Sequence, residues 1–224
     1  MESSTLDIAQ NLNNLTESLP EDVCLVAVSK TKPMDYINQA YLQGQRDFGE
    51  NKIQEMCEKH EELPKDIRWH MIGHIQRNKV KYMASFVHLI HGVDSLRLLH
   101  EINKRAEQNN RVIACLLQVH IAEETTKFGF SFEEINDFFN KEIYKDYPNI
   151  KIEGLMGMGT NDVPESQNRT EFSKLKSCFD NNKKLHPLDT LSMGMSNDYK
   201  LAIDEGSNMV RIGSAIFGSR NYNK

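Results

Sequence analysis

Cysteine is scarce and scattered. Cys24, Cys57, Cys115 and Cys178 are widely separated and form no C-x-x-C pair. A reducing cytosol fits this better than a disulfide framework. Cys24 and Cys115 lie within apolar runs and read as core residues. No apolar run approaches the length of a membrane span. Residues 1–19 carry acids and amides rather than a basic stretch followed by an apolar one, so no signal peptide is expected. The expectation is a soluble, cytoplasmic protein. Neither charge sign dominates: 27 basic residues face 32 acidic ones, for a formal charge of -5. A general nucleic-acid or acidic-membrane surface is therefore not expected, although a local basic pocket stays open. Linkers, repeats and low-complexity stretches are missing too, so a single domain over 1–224 is expected.

What remains is a chain of 224 residues, 39% hydrophobic, enough for one sizeable core. Leu6, Ile8, Leu12, Leu15 and Leu19 share one helical face, which ends at Pro20. Short apolar runs then alternate with helical patterns. Strands are expected near 24–28, 47–49, 67–72, 86–90, 112–121, 150–156, 188–193 and 209–212. Helices are expected near 33–42, 50–63, 74–84, 94–109, 131–147, 164–184 and 196–205, with a short one at the end. Ser131 and Glu134 have the spacing of a capping box. Eight strand–helix units imply parallel strands with right-handed crossovers. The fold class is α/β, a single (β/α)8 TIM barrel with an extra N-terminal helix. An open doubly wound sheet is the alternative, but no G-x-G-x-x-G follows the first strand.

In such a barrel, chemistry sits at the C-terminal ends of the strands, with phosphate near the last two. Lys30 ends the first strand. A partly desolvated lysine there can be neutral enough to form a Schiff base with an aldehyde; the plain alternative is that it snorkels to the surface. Asn51 ends the second strand. The seventh ends in Ser192-Met193-Gly194-Met195-Ser196 and the eighth in Arg211-Ile212-Gly213-Ser214. Glycines admit an anion to the backbone, hydroxyls add donors, and a helix is expected to open at Ser196 and at Ser214. Either serine alone reads as an ordinary N-cap; both on adjacent strands point to phosphate. Arg211 reads equally as half of an ion pair or as a ligand contact. A phosphate corner facing a Schiff-base lysine suggests pyridoxal 5′-phosphate (PLP), and an arginine at its ring nitrogen would weaken the electron sink. His70 and His74 are four apart, but Gly73 intervenes and no H-E-x-x-H is present, so no metal site is expected. Lys127 could meet a ligand from a charged loop. Arg77, Lys79 and Lys81 read as solvated surface.

Several stretches together resemble the pyridoxal phosphate homeostasis proteins, relatives of the barrel domain of alanine racemase. They are Val28-Ser29-Lys30-Thr31-Lys32-Pro33, Phe48-Gly49-Glu50-Asn51, Trp69-His70-Met71-Ile72-Gly73, Gln76-Arg77-Asn78-Lys79, Gly154-Leu155-Met156, Leu191-Ser192-Met193-Gly194-Met195-Ser196 and the run from Met209 to Gly218. The resemblance implies Lys30 as the covalent site, an internal aldimine. It implies that Ser196, Gly213 and Ser214 hold the phosphate, Arg211 approaches the ring nitrogen or phosphate, Asn51 lies near the ring, and Ser192 is a further contact. Ser214 stands where threonine is common, Met71 where an aromatic is, and His74 where glycine or proline is. These changes remove none of the implied ligands.

The function so implied is PLP homeostasis: a carrier or buffer that holds the cofactor, without efficient racemase activity, and contacts PLP-requiring apo-enzymes transiently. An amino-acid racemase or other small PLP enzyme is the alternative. Racemisation needs a proton-transfer group on each face of the cofactor. Lys30 serves one face, and the expected chain has no room for the β-domain that supplies a tyrosine in racemases. A monomer is expected for the same reason. A third reading is a cofactor-free Schiff-base aldolase acting on a phosphorylated sugar.

Overall fold

The computed structural model describes residues 7–122 and 128–218. Eight parallel strands close into a barrel in sequence order. They are β1 (Cys24–Val28), β2 (Asp47–Glu50), β3 (Arg68–Met71), β4 (Leu89–Val93), β5 (Ile113–Gln118), β6 (Ile150–Met156), β7 (Thr190–Met195) and β8 (Met209–Ile212). Closure runs through β1 and β8, which pair from Cys24↔Met209 to Ala27↔Ile212. The helices among the described residues are α1 (Ile8–Ser18), α2 (Met34–Leu42), α3 (Ile53–Glu62), α4 (Val80–Met83), α5 (Leu96–Gln108), α6 (Phe132–Asn140), α7 (Glu165–Lys183), α8 (Tyr199–Asp204) and α9 (Ser214–Phe217). The expected (β/α)8 barrel with an extra N-terminal helix is the observed fold. Asp7 caps that helix, accepting from Gln10 N at 2.9 Å. Its Ile8, Leu12 and Leu15 are buried, and Asn11 Nδ2 donates to Ile216 O of α9.

Strand alternation divides the apolar residues into two cores. Ala27, Phe48, Trp69, Ile90, Leu117 and Leu155 face outward into the layer beneath the helices. Val26, Leu89, Leu116, Met156 and Met209 form a smaller cluster inside the barrel. The inward set continues toward the C-terminal end through the next alternate residues of each strand, and there it turns polar.

Several local expectations change. The helix expected at 74–84 is a 3₁₀ turn, Arg77–Lys79, followed by the four-residue α4. Its apolar spacing comes from Val80, Met83 and Ala84, which pack inward within one short helix and the residue after it. Strand β4 starts three residues later than expected, because β3 sets the register through His70↔Leu89 and Met71↔Ile90. Phe86 instead stacks on His60, with ring centroids 3.9 Å apart. Strand β7 is also displaced, to Thr190–Met195.

Gly154 marks where the barrel admits no side chain. A Cβ there would lie 1.6 Å from Thr190 O, on the neighbouring strand. Gly154→Ala is expected to destabilise the fold by about 3 kcal/mol or more, at the upper end of overpacking costs. Gly44 has φ +95° but open space around it, so Gly44→Ala is expected to cost only about 1–2 kcal/mol. Urea midpoints of the two variants, at unchanged m, check the difference.

Candidate functional site

After Val28 the chain turns sharply. Ser29 O accepts from Lys32 N at 3.0 Å, closing a turn with Lys30 and Thr31 at its centre. Thr31 has φ +64°, a left-handed conformation that costs a non-glycine residue about 1–3 kcal/mol. A polar network beneath the turn holds it. Thr31 N donates to Glu55 Oε1 at 2.6 Å, and Ser29 Oγ donates to Glu50 Oε1 at 2.6 Å. Lys59 Nζ donates to Ser29 O at 2.9 Å and to Glu50 Oε1 and Glu55 Oε1 at 2.7 Å each. Both neighbours of Lys30 are thus tied to one buried ammonium. Lys59 is 4% exposed and Glu50 is fully buried. Burial pushes the Glu50 carboxyl up to about 7, against the opposing pull of Lys59 and Ser29.

Lys30, Asn51, Ser196, Arg211, Gly213 and Ser214 all line one cavity of about 490 Å³ at the C-terminal mouth of the barrel. Val28, Ile72, Met158 and Phe128 give it apolar walls, and Gln118, Asn161 and His74 add polar ones. His74 stacks on Phe128 at 4.2 Å and its Nδ1 lies 3.1 Å from Asp94 Oδ2. Arg211 is 3% exposed. It donates to Ser192 O at 2.9 Å, to Ser192 Oγ at 2.5 Å and to Gly157 O at 3.0 Å. Burial brings its guanidinium down to about 10, so it stays charged at neutral pH. No carboxylate is hydrogen-bonded to it among the described residues, which makes it a cation ready for an anionic or electron-rich ligand.

The corner between β8 and β1 is built for close approach. A Cβ on Gly213 would sit 2.8 Å from Val28 O, and Gly213 N donates to Ser196 Oγ at 3.3 Å. Lys32 Nζ donates to Phe217 O at 2.7 Å and Gly218 O at 2.9 Å, pinning α9 beside the Lys30 turn. Ser214 opens α9 as expected. Ser196 opens no helix: α8 starts at Tyr199, preceded by Asp198, whose Oδ1 accepts from Met195 N. With α8 and α9 six and four residues long, hydroxyls and first-turn N–H groups, rather than long helix dipoles, supply the donors.

Ser192 does not line this cavity. The displaced β7 places it mid-strand, buried behind Arg211. His70 and His74 are also apart: His70 is buried within the barrel and His74 is exposed at the mouth. His70 instead lies with Asp47 and His88 near the opposite end, their ligand atoms within 4.8 Å of one another. Arg68 donates to both oxygens of Asp47 there, occupying the carboxylate. Arg77, Lys79 and Lys81 are exposed. Lys127 lies outside the described residues.

The model of the alanine racemase N-terminal domain family matches residues 4–221. The pyridoxal phosphate homeostasis protein of Aquifex aeolicus (strain VF5) is 40% identical over 88% of this chain and 87% of its own length. This chain belongs to that family of homeostasis proteins. Among solved structures, PipY of Synechococcus elongatus PCC7942 without PLP superimposes with a TM-score of 0.89 at 32% identity, over 95% of this chain and 100% of that one. Its PLP-bound form gives 0.86. An alanine racemase from E. faecalis, 17% identical, shares the fold alone, with a TM-score of 0.75 over 96% of this chain and 58% of the enzyme.

Sequence reading missed Lys59, Glu50 and Glu55 as supports of Lys30, although Lys59 shares the buried α3 stripe of Ile53 and Met56. It also missed Gln118, Asn161 and Met158 as cavity walls. Lys59→Met leaves Glu50 buried without its cation and is expected to cost about 3–5 kcal/mol in chemical denaturation. Glu50 has a distinct pH signature. Its carboxyl is raised in the folded state from 4.5 to about 7. Its contribution to stability is therefore full below about pH 4.5 and lost as pH rises toward 7. Glu50→Gln lacks this dependence, so the stability of wild type relative to the variant is expected to fall over that interval. Parallel curves in urea titrations at several pH values would contradict this.

Proposed function

We propose that this chain is a PLP-binding homeostasis protein, a carrier or buffer of the cofactor with Lys30 as the covalent site. One observation carries the reading: a strained, clamped lysine turn, a buried guanidinium with no carboxylate hydrogen-bonded to it among the described residues and a Gly–Ser corner converge on a single cavity. These residues fit the group. The bare Gly213 backbone and the Ser196 and Ser214 hydroxyls suit a phosphate, and the apolar walls suit a flat ring beside Asn51. When bound, the cofactor supplies an aldehyde that condenses with a primary amine, and a ring that absorbs in the near-ultraviolet and visible.

The protein's own residues then have separate tasks. The Lys59–Glu50–Glu55 network holds the Lys30 turn so that the amine enters the cavity from one side. Arg211 would hold a fixed positive charge toward the bound group, and a ring nitrogen beside it would be disfavoured from taking a proton. A ring so placed would be a weak electron sink, which would suit storage better than carbanion chemistry. Release to apo-enzymes requires only an open mouth, and His74 and Phe128 stack at its rim. The chain acts as a monomer in this reading, with amino acids as further ligands of the same cavity.

A racemase reading draws on one observation: His74 lines the cavity and is oriented by Asp94, as a base on the second face would be. Steady-state turnover of an amino acid at stoichiometric PLP, lost in His74→Ala, would favour it. The carrier reading expects no turnover and transfer of PLP to an apo-enzyme. For the covalent site, added PLP is expected to give a protein-bound absorption band in wild type and none in Lys30→Ala. A band retained in the variant would move the site to another lysine; no band in either would bring forward an aldolase, tested by borohydride trapping with a sugar phosphate.

A further inference from the structure

A line of polar side chains crosses the barrel interior from the Arg211 site to the opposite mouth. Arg211 Nη1 donates to Ser192 Oγ. Ser192 Oγ lies 3.2 Å from His91 Nδ1. His91 Nε2 lies 2.9 Å from His70 Nδ1, and His70 Nε2 lies 2.9 Å from Asp47 Oδ1. Beyond it, Arg68 holds both Asp47 oxygens. Ser192 and His91 are fully buried, and His70 is 1% exposed. The five residues come from β8, β7, β4, β3 and β2, so no local motif produces the line.

The chemistry of the two ends fixes its direction. Guanidinium only donates, so Ser192 Oγ accepts from Arg211. The Ser192 proton then has one acceptor among the described residues, His91 Nδ1. His91 must therefore carry its proton on Nε2 and donate it to His70 Nδ1. His70, its Nδ1 occupied as an acceptor, carries its proton on Nε2. Read from the other end, the answer is the same. Arg68 and His70 together hold the Asp47 carboxyl well below the usual range despite its burial, and a carboxylate only accepts. Burial likewise keeps His91 neutral. A proton cannot pass from Asp47 toward Arg211 along this line, because the two Nε2 atoms that face Asp47 already carry one. In the other sense the first proton would have to leave the Arg211 guanidinium, which stays charged at neutral pH, so the line serves to position and polarise.

We propose that Ser192, His91, His70 and Asp47 are positioning residues for Arg211: a one-directional hydrogen-bond chain that orients the buried guanidinium and links its charge to a carboxylate at the far end of the barrel. The chain also explains why Asp47, His70 and His88 are a poor metal site, since both ring nitrogens of His70 and both oxygens of Asp47 are committed. The role at Arg211 rests on the PLP reading, but the chain itself does not.

The test is ¹⁵N-resolved NMR of the histidine rings in the full chain, first without cofactor. His70 and His91 are expected as neutral Nε2–H tautomers near pH 7. An imidazolium at either ring, or Nδ1–H on His91, overturns the proposal whatever PLP does. Asp47→Asn is the informative variant, because an amide can donate to His70 Nε2 and invert the line. A change of tautomer at His91, two hydrogen bonds away, is expected; an unchanged His91 signal overturns the coupling. With PLP added, His91→Gln keeps a donor toward His70 but loses the acceptor for Ser192, and is expected to weaken PLP binding roughly tenfold. His91→Asn keeps that acceptor and is expected to restore most of the affinity. Equal affinities for wild type and both variants would overturn the role at Arg211 while leaving PLP binding itself intact.

Discussion

The pairing of β1 with β8 is the constraint on which the site depends. Lys30 and Arg211 are far apart in sequence, yet the register Val26↔Arg211 and Ala27↔Ile212 sets the two strand ends side by side. Gly213 can come against Val28 only because it lacks a side chain. Lys32 then fastens α9 across the same seam. Without closure, the lysine turn and the Gly–Ser corner would be opposite edges of an open sheet. Closure also leaves no strand edge free, so the polar groups inside must be satisfied by one another.

That requirement is met in two ways. Beneath the Lys30 turn, on the outward side of β2, charge is matched locally: Lys59 against Glu50 and Glu55. Inside the barrel it is matched at a distance, through neutral histidines and a serine. The first arrangement is costly to break at Lys59, because its loss leaves the fully buried Glu50 without the cation that faces it. The second leaves Arg211 charged but not neutralised by direct contact, and so still available to a ligand. A carboxylate hydrogen-bonded to Arg211 would have stabilised the empty barrel and competed with whatever the cavity holds; Asp198, on the same cavity, acts on it only through space.

Much of this was legible in the sequence. The strands at 24–28, 150–156 and 209–212 were read with the boundaries observed, because each is a β-rich run ended by a clear break. Six of the proposed contact residues fall on one cavity for the same reason: strand ends are readable, and parallel barrels put them together. Ser192 and His91 were misplaced or missed through register. Reading the fourth strand at 86–90 put His91 in a loop; starting it at Leu89 makes Leu89 and His91 successive inward residues. Reading the seventh as ending at 193 made Ser192 a rim residue rather than an interior one. Single-strand periodicity does not fix which residue starts a parallel strand; the neighbour's hydrogen bonds do. Ser196 was misread because a serine before a helical pattern looks like a cap, whereas Asp198 is the residue that precedes α8.

The strain at Thr31 completes the argument. A glycine after Lys30 would adopt φ +64° without penalty, yet a β-branched residue stands there, held by Glu55 through its N–H. Glycine would also leave the turn free to adopt other conformations, and Lys30 with it. Threonine narrows the alternatives in the unfolded chain and in the turn itself, while the Lys59 network supplies the energy to keep the unfavourable one. Rigidity at Lys30 thus arises from a strained residue and a buried ion cluster acting in opposition. The proposed storage of a cofactor on Lys30 needs that lysine presented in a fixed orientation more than it needs a catalytic group beside it.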